Sequence, residues 1–311
     1  MDEGSQPSLA QSRKDFLSHL RYAKGYSQGT CYAYTSDLGI WGRWLEEAGY
    51  DWRACTHVEA EQFITWQMRE RGVKPSIVAR RASCLSSFYK WAKKNGLVEE
   101  DPIYLADKPR RPYRIPVWLE REEQERLRDA ARSIDDLPEN IYGRTRENLL
   151  EVRRRYDFLF GLIQNSGLRI SEALAVKVRD VRVANGIAKS VRVIGKGNKE
   201  RSVPLPEAFG EVFGYWIANM RREDFVFAKE PGGKAPSARA ARAYLNRLVE
   251  KAGIDKAITP HKLRHTYATR LLESGAELVD IQVLLGHVDL ATTEIYTHVG
   301  EDRMASVVSK L

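Results

Sequence analysis

One short strip near residue 110 constrains the architecture of this chain more than any other feature. The strip, ADKPRRPYRIP at 106–116, contains three prolines and four basic residues. Proline restricts φ and lacks the N–H that helices and sheets use, so this composition indicates an extended connection. A chain of 311 residues is also long for one hydrophobic core. We therefore predict two domains, residues 1–105 and 117–311, joined by a basic linker at 106–116.

The composition favours an anionic partner in the cytoplasm. The net charge is +8, and the predicted linker holds four basic residues against one acidic residue, the densest excess of positive charge in the chain. The longest apolar run, FLFGLI at 158–163, is too short to cross a bilayer, and the polar N-terminus does not read as a signal peptide. Three widely spaced cysteines predict neither a disulfide framework nor a cysteine metal site.

The first 105 residues predict a small all-α bundle. Short connections separate four helical patterns, and the third starts with a capping box, Thr56-x-x-Glu59. The predicted helices cover residues 8–23, 27–48, 56 to about 72, and 75 to about 95.

The fourth of these helices has two distinct faces. Ile77, Leu85, Phe88 and Ala92 recur at a spacing that directs them toward a core. A second face carries hydroxyl and basic side chains, which are common phosphate-contacting groups; its members are Arg80, Ser83, Ser87, Lys90 and Lys94. An ordinary solvated face has the same composition, so both interpretations stay open.

After the linker the pattern is mainly helical, with one break at KSVRVIGKGNKERSVPLP, residues 189–206. Apolar residues alternate with polar ones on both sides of a glycine-containing turn, which predicts a β-hairpin. Lys196 and Lys199 lie in the turn, and Arg201 follows. Residues 133–156 predict a charged loop that leads into a helix. The second domain is therefore expected to be mainly α with a small antiparallel sheet.

Two stretches place an arginine where an anion is expected. In TPHKLRHTYATRLLESG, residues 259–275, Thr259 is a good N-cap, and His261 and Arg264 share one face of the first turns, where backbone N–H groups favour anions. A lone histidine there is more often an ordinary surface residue. In SGLRISEAL, residues 166–174, Arg169 and Glu172 stand three apart on a predicted helix. Such an arginine pairs either with a phosphate or with the local glutamate.

The segment LLGHVDLATTEIYTHV, residues 284–299, adds His287 after a glycine expected to end a helix, and Tyr296 nine residues later. A tyrosine that attacks a DNA phosphodiester needs cations around the phosphorus and an acid for the leaving 5′-oxygen. Arg169, Arg264 and the imidazoles of His261 and His287 are candidates for the first role. Lys196 is the candidate acid.

In this order the motifs resemble those of the tyrosine recombinases, or phage-type integrases, and within them the Xer-like members. The resemblance covers nearly the whole chain. It rests on SGLRISEAL, VIGKGNKERSVPLP, HKLRHTYAT, LLGH and IYTHV. It assigns the catalytic set Arg169, Lys196, His261, Arg264, His287 and Tyr296, with Glu172 as the supporting acidic residue.

The resemblance implies a tyrosine recombinase fold with an N-terminal SAM-like core-binding bundle that, with the catalytic domain, clamps duplex DNA. It implies a homotetramer on two sites with paired half-sites, strand exchange through a Holliday junction, no metal or other cofactor, and residues 301–311 packed on a neighbouring protomer. Basic residues expected at the DNA are Arg110, Arg111, Arg114, Lys199 and Arg201. The charged stretch 133–156 looks longer than in compact Xer-like members, which leaves the subfamily open; the stretch either contacts DNA or a partner or is a solvated charged loop. The target site and the need for a partner recombinase or accessory protein are also left open by the sequence.

Three other functions are compatible with parts of the pattern. A sequence-specific DNA-binding protein would share the clamp without the chemistry, and a type IB topoisomerase would share the nucleophile and the cations. A metal hydrolase would use His261, His265, His287 and His298, but the glutamate of an HExxH motif is absent.

Overall fold

The computed structural model of the protein describes residues 7–109, 117–133, 140–141, 144–195 and 200–286. Its contacts cluster into two compact units, residues 1–114 and 115–311. Among the described residues, no helix is both long enough and apolar enough to cross a membrane. The mainly α architecture with a small three-stranded antiparallel sheet confirms the predicted fold class.

The first unit is built from four main helices whose starts follow from their caps. Side-chain oxygens of Ser8, Ser27 and Thr56 accept backbone N–H groups at the first turns of their helices, and the predicted capping box of Thr56 with Glu59 is present. The helices are α1 (Leu9–Ser18, continued by a π-helical turn at His19–Ala23), α2 (Gln28–Ala48), α3 (His57–Arg69), α4 (Pro75–Lys94) and a short α5 (Pro102–Leu105).

Aromatic side chains fill the core of this unit. The Trp41 ring is fully buried and meets Phe63 edge-on, with ring centroids 4.8 Å apart, a favoured aromatic geometry. The Trp41 Nε1–H donates to the Tyr89 hydroxyl at 3.1 Å, and that hydroxyl donates to the Trp52 carbonyl at 3.0 Å. The Trp41 indole N–H, the Tyr89 hydroxyl and the Trp52 carbonyl are therefore all hydrogen-bonded within the core.

Two details of the first unit differ from the sequence prediction. Ile77 is 41% exposed, and Val78 takes the core position, because Val78, Leu85 and Ala92 repeat every seven residues along one face of α4. Ala106, the first residue of the predicted linker, is buried in the core of this unit, and the N–H of Asp107 donates to Glu61.

The second unit contains a three-stranded antiparallel sheet, in which β3 (Val181–Ala184), β4 (Ile187–Ile194) and β5 (Glu200–Pro204) lie in that order. The predicted hairpin is present, and an additional strand, β3, precedes it. Asn185 and Gly186, both at positive φ, form the turn between β3 and β4, as expected of an Asn-Gly hairpin. Two further short strands, β1 (Asn140–Ile141) and β2 (Arg144–Thr145), pair with each other in a separate antiparallel sheet.

Helices cover this sheet and complete the core. They are α6 (Arg121–Arg132), α7 (Arg146–Ser166), α8 (Ile170–Ala175), α9 (Glu207–Ile217), α10 (Ala238–Lys251), α11 (Pro260–Glu273) and α12 (Leu278–Leu285). The predicted charged loop at 133–156 is too long, because α7 already begins at Arg146. Arg155 of that helix is buried and donates to Glu151 at 2.7 Å. Helix α11 packs on α7 and α12.

Candidate active site

A tight turn between α7 and α8 brings the first site arginine into place. Gly167 ends α7 in the left-handed conformation with φ +62°, and a Cβ there would lie 2.5 Å from Tyr267 Cδ1, so a larger residue would clash as well as strain the backbone. Arg169 follows as the N-cap of α8, whereas the sequence pattern placed it within a helix. The cap position leaves the side chain in reach of Glu172 in the first turn.

Glu172 is the centre of the site. Its side chain is 6% exposed, and both carboxylate oxygens accept two hydrogen bonds each. Arg169 donates from its backbone N–H at 2.9 Å and from Nη1 at 2.7 Å. Arg201 donates from both Nη atoms, at 3.2 and 2.9 Å, in the bidentate arrangement that suits a guanidinium. Arg264 Nη1 lies 3.9 Å from Oε2, so three guanidinium groups surround one carboxylate.

The same surroundings keep Glu172 ionised. Burial raises its pKa, but the hydrogen bonds and positive charges of Arg201 and Arg169 lower it by more, so the pKa lies below the ordinary value of 4.5. The carboxylate therefore balances part of the positive charge that the three arginines concentrate here.

The three guanidinium groups also bind the end of α12. Arg201 Nε donates to the Leu284 carbonyl at 3.2 Å, Arg264 Nη2 to the Leu285 carbonyl at 2.6 Å, and Arg169 Nη2 to the Gly286 carbonyl at 3.4 Å. These carbonyls form the negative end of the helix, which favours cations. Gly286 ends the helix with φ +64°, as predicted, directly before His287.

His261 lies in the first turn of α11, beside the arginines. Thr259 caps this helix and Pro260 opens it, as predicted. Partial burial, followed by the positive charges of Arg264 and Arg169, lowers the pKa of the imidazole below 6.5. The ring contacts His265 edge-on at a centroid distance of 4.7 Å. A neutral imidazole at pH 7 can donate one hydrogen bond and accept another.

Several predicted site residues fall outside the described part of the chain. They are Lys196, His287 and Tyr296 of the catalytic set, and Lys199, Arg110, Arg111 and Arg114 of the DNA-contact set, together with segment 301–311. The structure thus brings together Arg169, Glu172, His261 and Arg264 from the predicted set. Within the described ranges, no group of three His, Cys, Asp or Glu side chains is placed to hold a metal ion.

The predicted DNA-contact face of α4 is largely solvent-exposed but partly committed to internal bonds. Ser83, Lys90 and Lys94 are exposed. Arg80 forms a bidentate pair with the buried Asp37. The hydroxyls of Ser83 and Ser87 donate to the backbone carbonyls four residues earlier, at 3.0 and 2.9 Å, and Lys90 Nζ lies 5.8 Å from the Tyr104 ring centroid.

Arg201 has a different position from the one expected of a DNA contact. Its side chain is 15% exposed and its guanidinium faces inward, onto Glu172 and α12. The alternation of β5 carried a signal for this, because Arg201 shares the face of Val203 and Leu205, both buried. An arginine on the core side of a strand requires a buried anion.

The family comparison covers both units. The model described as phage integrase family matches residues 118–303, and the model described as phage integrase, N-terminal SAM-like domain matches residues 14–96. The chain is 33% identical over 303 residues to the tyrosine recombinase XerC of Halalkalibacterium halodurans, covering 94% of each protein. It is 32% identical over 306 residues to XerD of Proteus mirabilis, covering 94% of this chain and 89% of that protein.

Solved structures share the fold at lower identity. The XerH site-specific recombinase in a post-cleavage complex with a palindromic difH substrate has a TM-score of 0.73 at 22% identity, covering 97% of this chain and 84% of that one. A lambda integrase tetramer bound to a Holliday junction has a TM-score of 0.67 at 18% identity, covering 93% and 80%. With the family matches and the XerC and XerD relatives, the chain belongs to the phage integrase family and is a tyrosine-type site-specific recombinase.

Proposed function

We propose that this recombinase cuts and rejoins duplex DNA through a 3′-phosphotyrosine formed on Tyr296. One observation carries the proposal: Arg169 and Arg264, with His261 beside them, meet around Glu172 at the end of α12. These side chains come from separate parts of the chain. Fixed cations in one place are what a phosphoryl transfer requires, because negative charge builds up on the non-bridging oxygens in the transition state.

In the proposed first step the Tyr296 oxygen bonds to phosphorus as the bond from phosphorus to the 5′-oxygen breaks. The phenol proton passes to a neutral imidazole, and His261 suits this role because its lowered pKa leaves it unprotonated at pH 7. Lys196 protonates the leaving 5′-oxygen, and His287 contributes to the charge around the phosphate. A 5′-hydroxyl of a second strand then attacks the phosphotyrosine and releases Tyr296. The stored bond needs no nucleotide.

We further propose the larger assembly on DNA. Residues 1–105 act as a DNA-binding domain, the basic linker 106–116 runs along the phosphate backbone, and residues 117–311 carry the chemistry in the cytoplasm. The lambda integrase tetramer on a Holliday junction supports a homotetramer on two sites with paired half-sites, with segment 301–311 packed on a neighbour. A partner recombinase or accessory protein is a further component to test for.

The test is to trap the covalent intermediate. Wild-type protein and Tyr296→Phe are expressed in cells, DNA–protein complexes are denatured, and the DNA joined to protein is sequenced. We expect wild-type protein to yield one recurrent site and Tyr296→Phe to yield no covalent DNA. Absence of any covalent complex with wild-type protein, although the protein binds specific DNA fragments recovered without denaturation, would identify a DNA-binding protein without cleavage.

A second assay separates recombination from relaxation. The recovered site is placed twice on one supercoiled plasmid and once on another. We expect exchange products from the two-site plasmid. Relaxation of both plasmids to the same extent, with no exchange product, would identify a topoisomerase activity instead.

A further inference from the structure

In the described part of the chain, three arginines surround Glu172. Arg169 and Arg264 belong to the proposed catalytic set, and Arg201 does not. It lies on β5 and pairs across the sheet with Val193 of β4. We propose that Arg201 is a positioning residue that fixes the β4–β5 hairpin to α8 and to the end of α12. It acts on strand cleavage through these elements rather than by contacting DNA. The inference rests on the proposed function of the same site.

The contacts of Arg201 join three elements at one guanidinium. Nη1 and Nη2 donate to the two oxygens of Glu172 on α8, and Nε donates to the Leu284 carbonyl on α12. All three nitrogens are thus engaged, and the planar fork sets both distance and angle between the partners. A hairpin held only by its backbone ladder would keep more freedom relative to α8 and α12.

Gly286 provides the space for this arrangement. A Cβ at Gly286 would lie 3.1 Å from Arg201 Nη1 and 3.2 Å from Cζ. The backbone that ends α12 therefore packs directly against the flat guanidinium of Arg201. Movement of Arg201 would change both the Leu284 hydrogen bond and this packing surface, immediately before position 287.

Burial argues against a phosphate contact. The Arg201 side chain is 15% exposed, against 34% for Arg169. To reach DNA, Arg201 would have to leave a buried carboxylate that needs its positive charge, which is costly. The positioning role therefore predicts that Arg201 affects the rate of cleavage and leaves DNA affinity unchanged.

The experiment compares Arg201→Gln and Arg201→Lys with a matched control, Arg192→Gln. Arg192 lies on the neighbouring strand, is 51% exposed, and pairs with Asp180 and Glu200, so its loss removes the same charge from the same sheet. Each protein is tested on a nicked duplex carrying the site recovered by trapping. Dissociation constants are measured at several salt concentrations, and the rate of covalent complex formation is measured in single turnover.

We expect both Arg201 variants to cleave about a hundredfold more slowly, as displacement of reacting groups by about 1 Å can produce. Their dissociation constants stay within about twofold of wild type, with an unchanged salt dependence. Arg201→Lys keeps the charge and the aliphatic stem but cannot form the fork, so it folds without restoring the rate. Arg192→Gln cleaves like wild type.

Two results would overturn the proposal. In the first, Arg201→Lys cleaves at the wild-type rate, and Arg201→Gln binds DNA more weakly with a slope of log affinity against log salt concentration that is smaller by about one. That combination would show that Arg201 contacts a phosphate. If Arg201→Gln cleaves at the wild-type rate, the contacts do not position the reaction. Wild-type protein and Tyr296→Phe run in parallel report on the proposed chemistry, so failure of that proposal is recognised separately. Should Arg201→Gln not fold, Arg201→Lys alone decides.

Discussion

At the scale of single residues, Glu172 determines how positive charge is arranged in the site. Its carboxylate accepts four hydrogen bonds from Arg169 and Arg201 and lies beside Arg264. Without it, three guanidinium groups would repel one another around the end of α12. Glu172 therefore holds the three arginines together by balancing their positive charge, although it carries no reacting atom itself.

Replacement Glu172→Gln should destabilise the second unit by about 3 kcal/mol at pH 7, the scale for breaking a buried ion pair. Because the folded pKa of Glu172 is lowered, the wild-type advantage is complete above the unfolded pKa and disappears as pH falls through the folded pKa. Urea unfolding of both proteins from pH 7 down to pH 3 measures this. An equal difference at every pH would contradict it, and Glu211→Gln on the exposed side of α9 is the control.

His261 is the subject of a second prediction, since it is a titratable base where Glu172 is an acid. Among the described residues, the charged or titratable groups near its ring are Arg264, Arg169 and His265. We expect its pKa, followed by nuclear magnetic resonance in the DNA-free protein, to lie below 6.5 and to rise in Arg169→Gln, because one nearby positive charge is removed.

The sign of the accompanying stability effect follows from the same shift. The unfolded chain takes up a proton at His261 at a higher pH than the folded protein does, so the free energy of unfolding falls as pH drops below the unfolded pKa. His261→Gln should reduce this part of the pH dependence. A pKa of His261 above 6.5 in the DNA-free protein would contradict the predicted electrostatics.

At the scale of elements, close packing of α9 on β4 fixes the position of the sheet that carries Arg201. Gly210 and Gly214 face the strand, and a Cβ on Gly214 would lie 2.1 Å from the Gly186 carbonyl oxygen. Both glycines lie within a regular helix, so their backbone conformation does not require glycine. Glycine is needed there because a side chain would prevent the close approach of α9 to β4. The approach keeps β4 and the hairpin close to the core formed with α7.

We expect Gly214→Ala to destabilise the protein by about 2 kcal/mol, because an added methyl group must displace backbone. Thermal and urea unfolding measure the change. Gly29→Ala is the matched control: Gly29 lies in α2 with its nearest atom at 3.9 Å, where alanine favours the helix by about 0.5–1 kcal/mol. Equal effects of the two substitutions would contradict the packing argument.

At the scale of the whole molecule, binding of a long polyanion such as DNA should depend on the positive charge that the chain carries. The net charge of +8 is concentrated most densely in the 106–116 strip. Each phosphate neutralised by a basic side chain releases counterions, so affinity for duplex DNA should fall steeply with salt.

Neutralising the strip tests its part in this binding. With Arg110, Arg111 and Arg114 all changed to Gln, the slope of log affinity against log salt should decrease by about 3 if each contacts one phosphate. Fluorescence anisotropy on the recovered site measures it. Arg121→Gln serves as control, since that side chain is 94% exposed on α6. An unchanged slope in the triple variant would remove the strip from the DNA interface.

Local patterns predicted local structure well. Thr56 with Glu59, Thr259 with Pro260, and Gly286 each marked a helix end that the structure contains, because caps depend on neighbouring residues alone. The strand β3 was not predicted, although Asn185-Gly186 is a strong turn signal, because it has only four residues, follows a single helical turn and buries only Val181.

What the sequence determined by itself was the fold class, the main helices of the first unit, the β4–β5 hairpin and the identity of four residues that meet at the site: Arg169, Glu172, His261 and Arg264. Each of these follows from motifs within about ten residues. Only the tertiary structure decided that the Arg201 side chain points inward and that the Glu172 carboxylate accepts hydrogen bonds from two guanidinium groups. It also decided that three consecutive carbonyls at the end of α12 accept hydrogen bonds from the three site arginines. Such partners lie up to 117 positions apart in the chain, and a buried charge selects its counter-ion by distance in space.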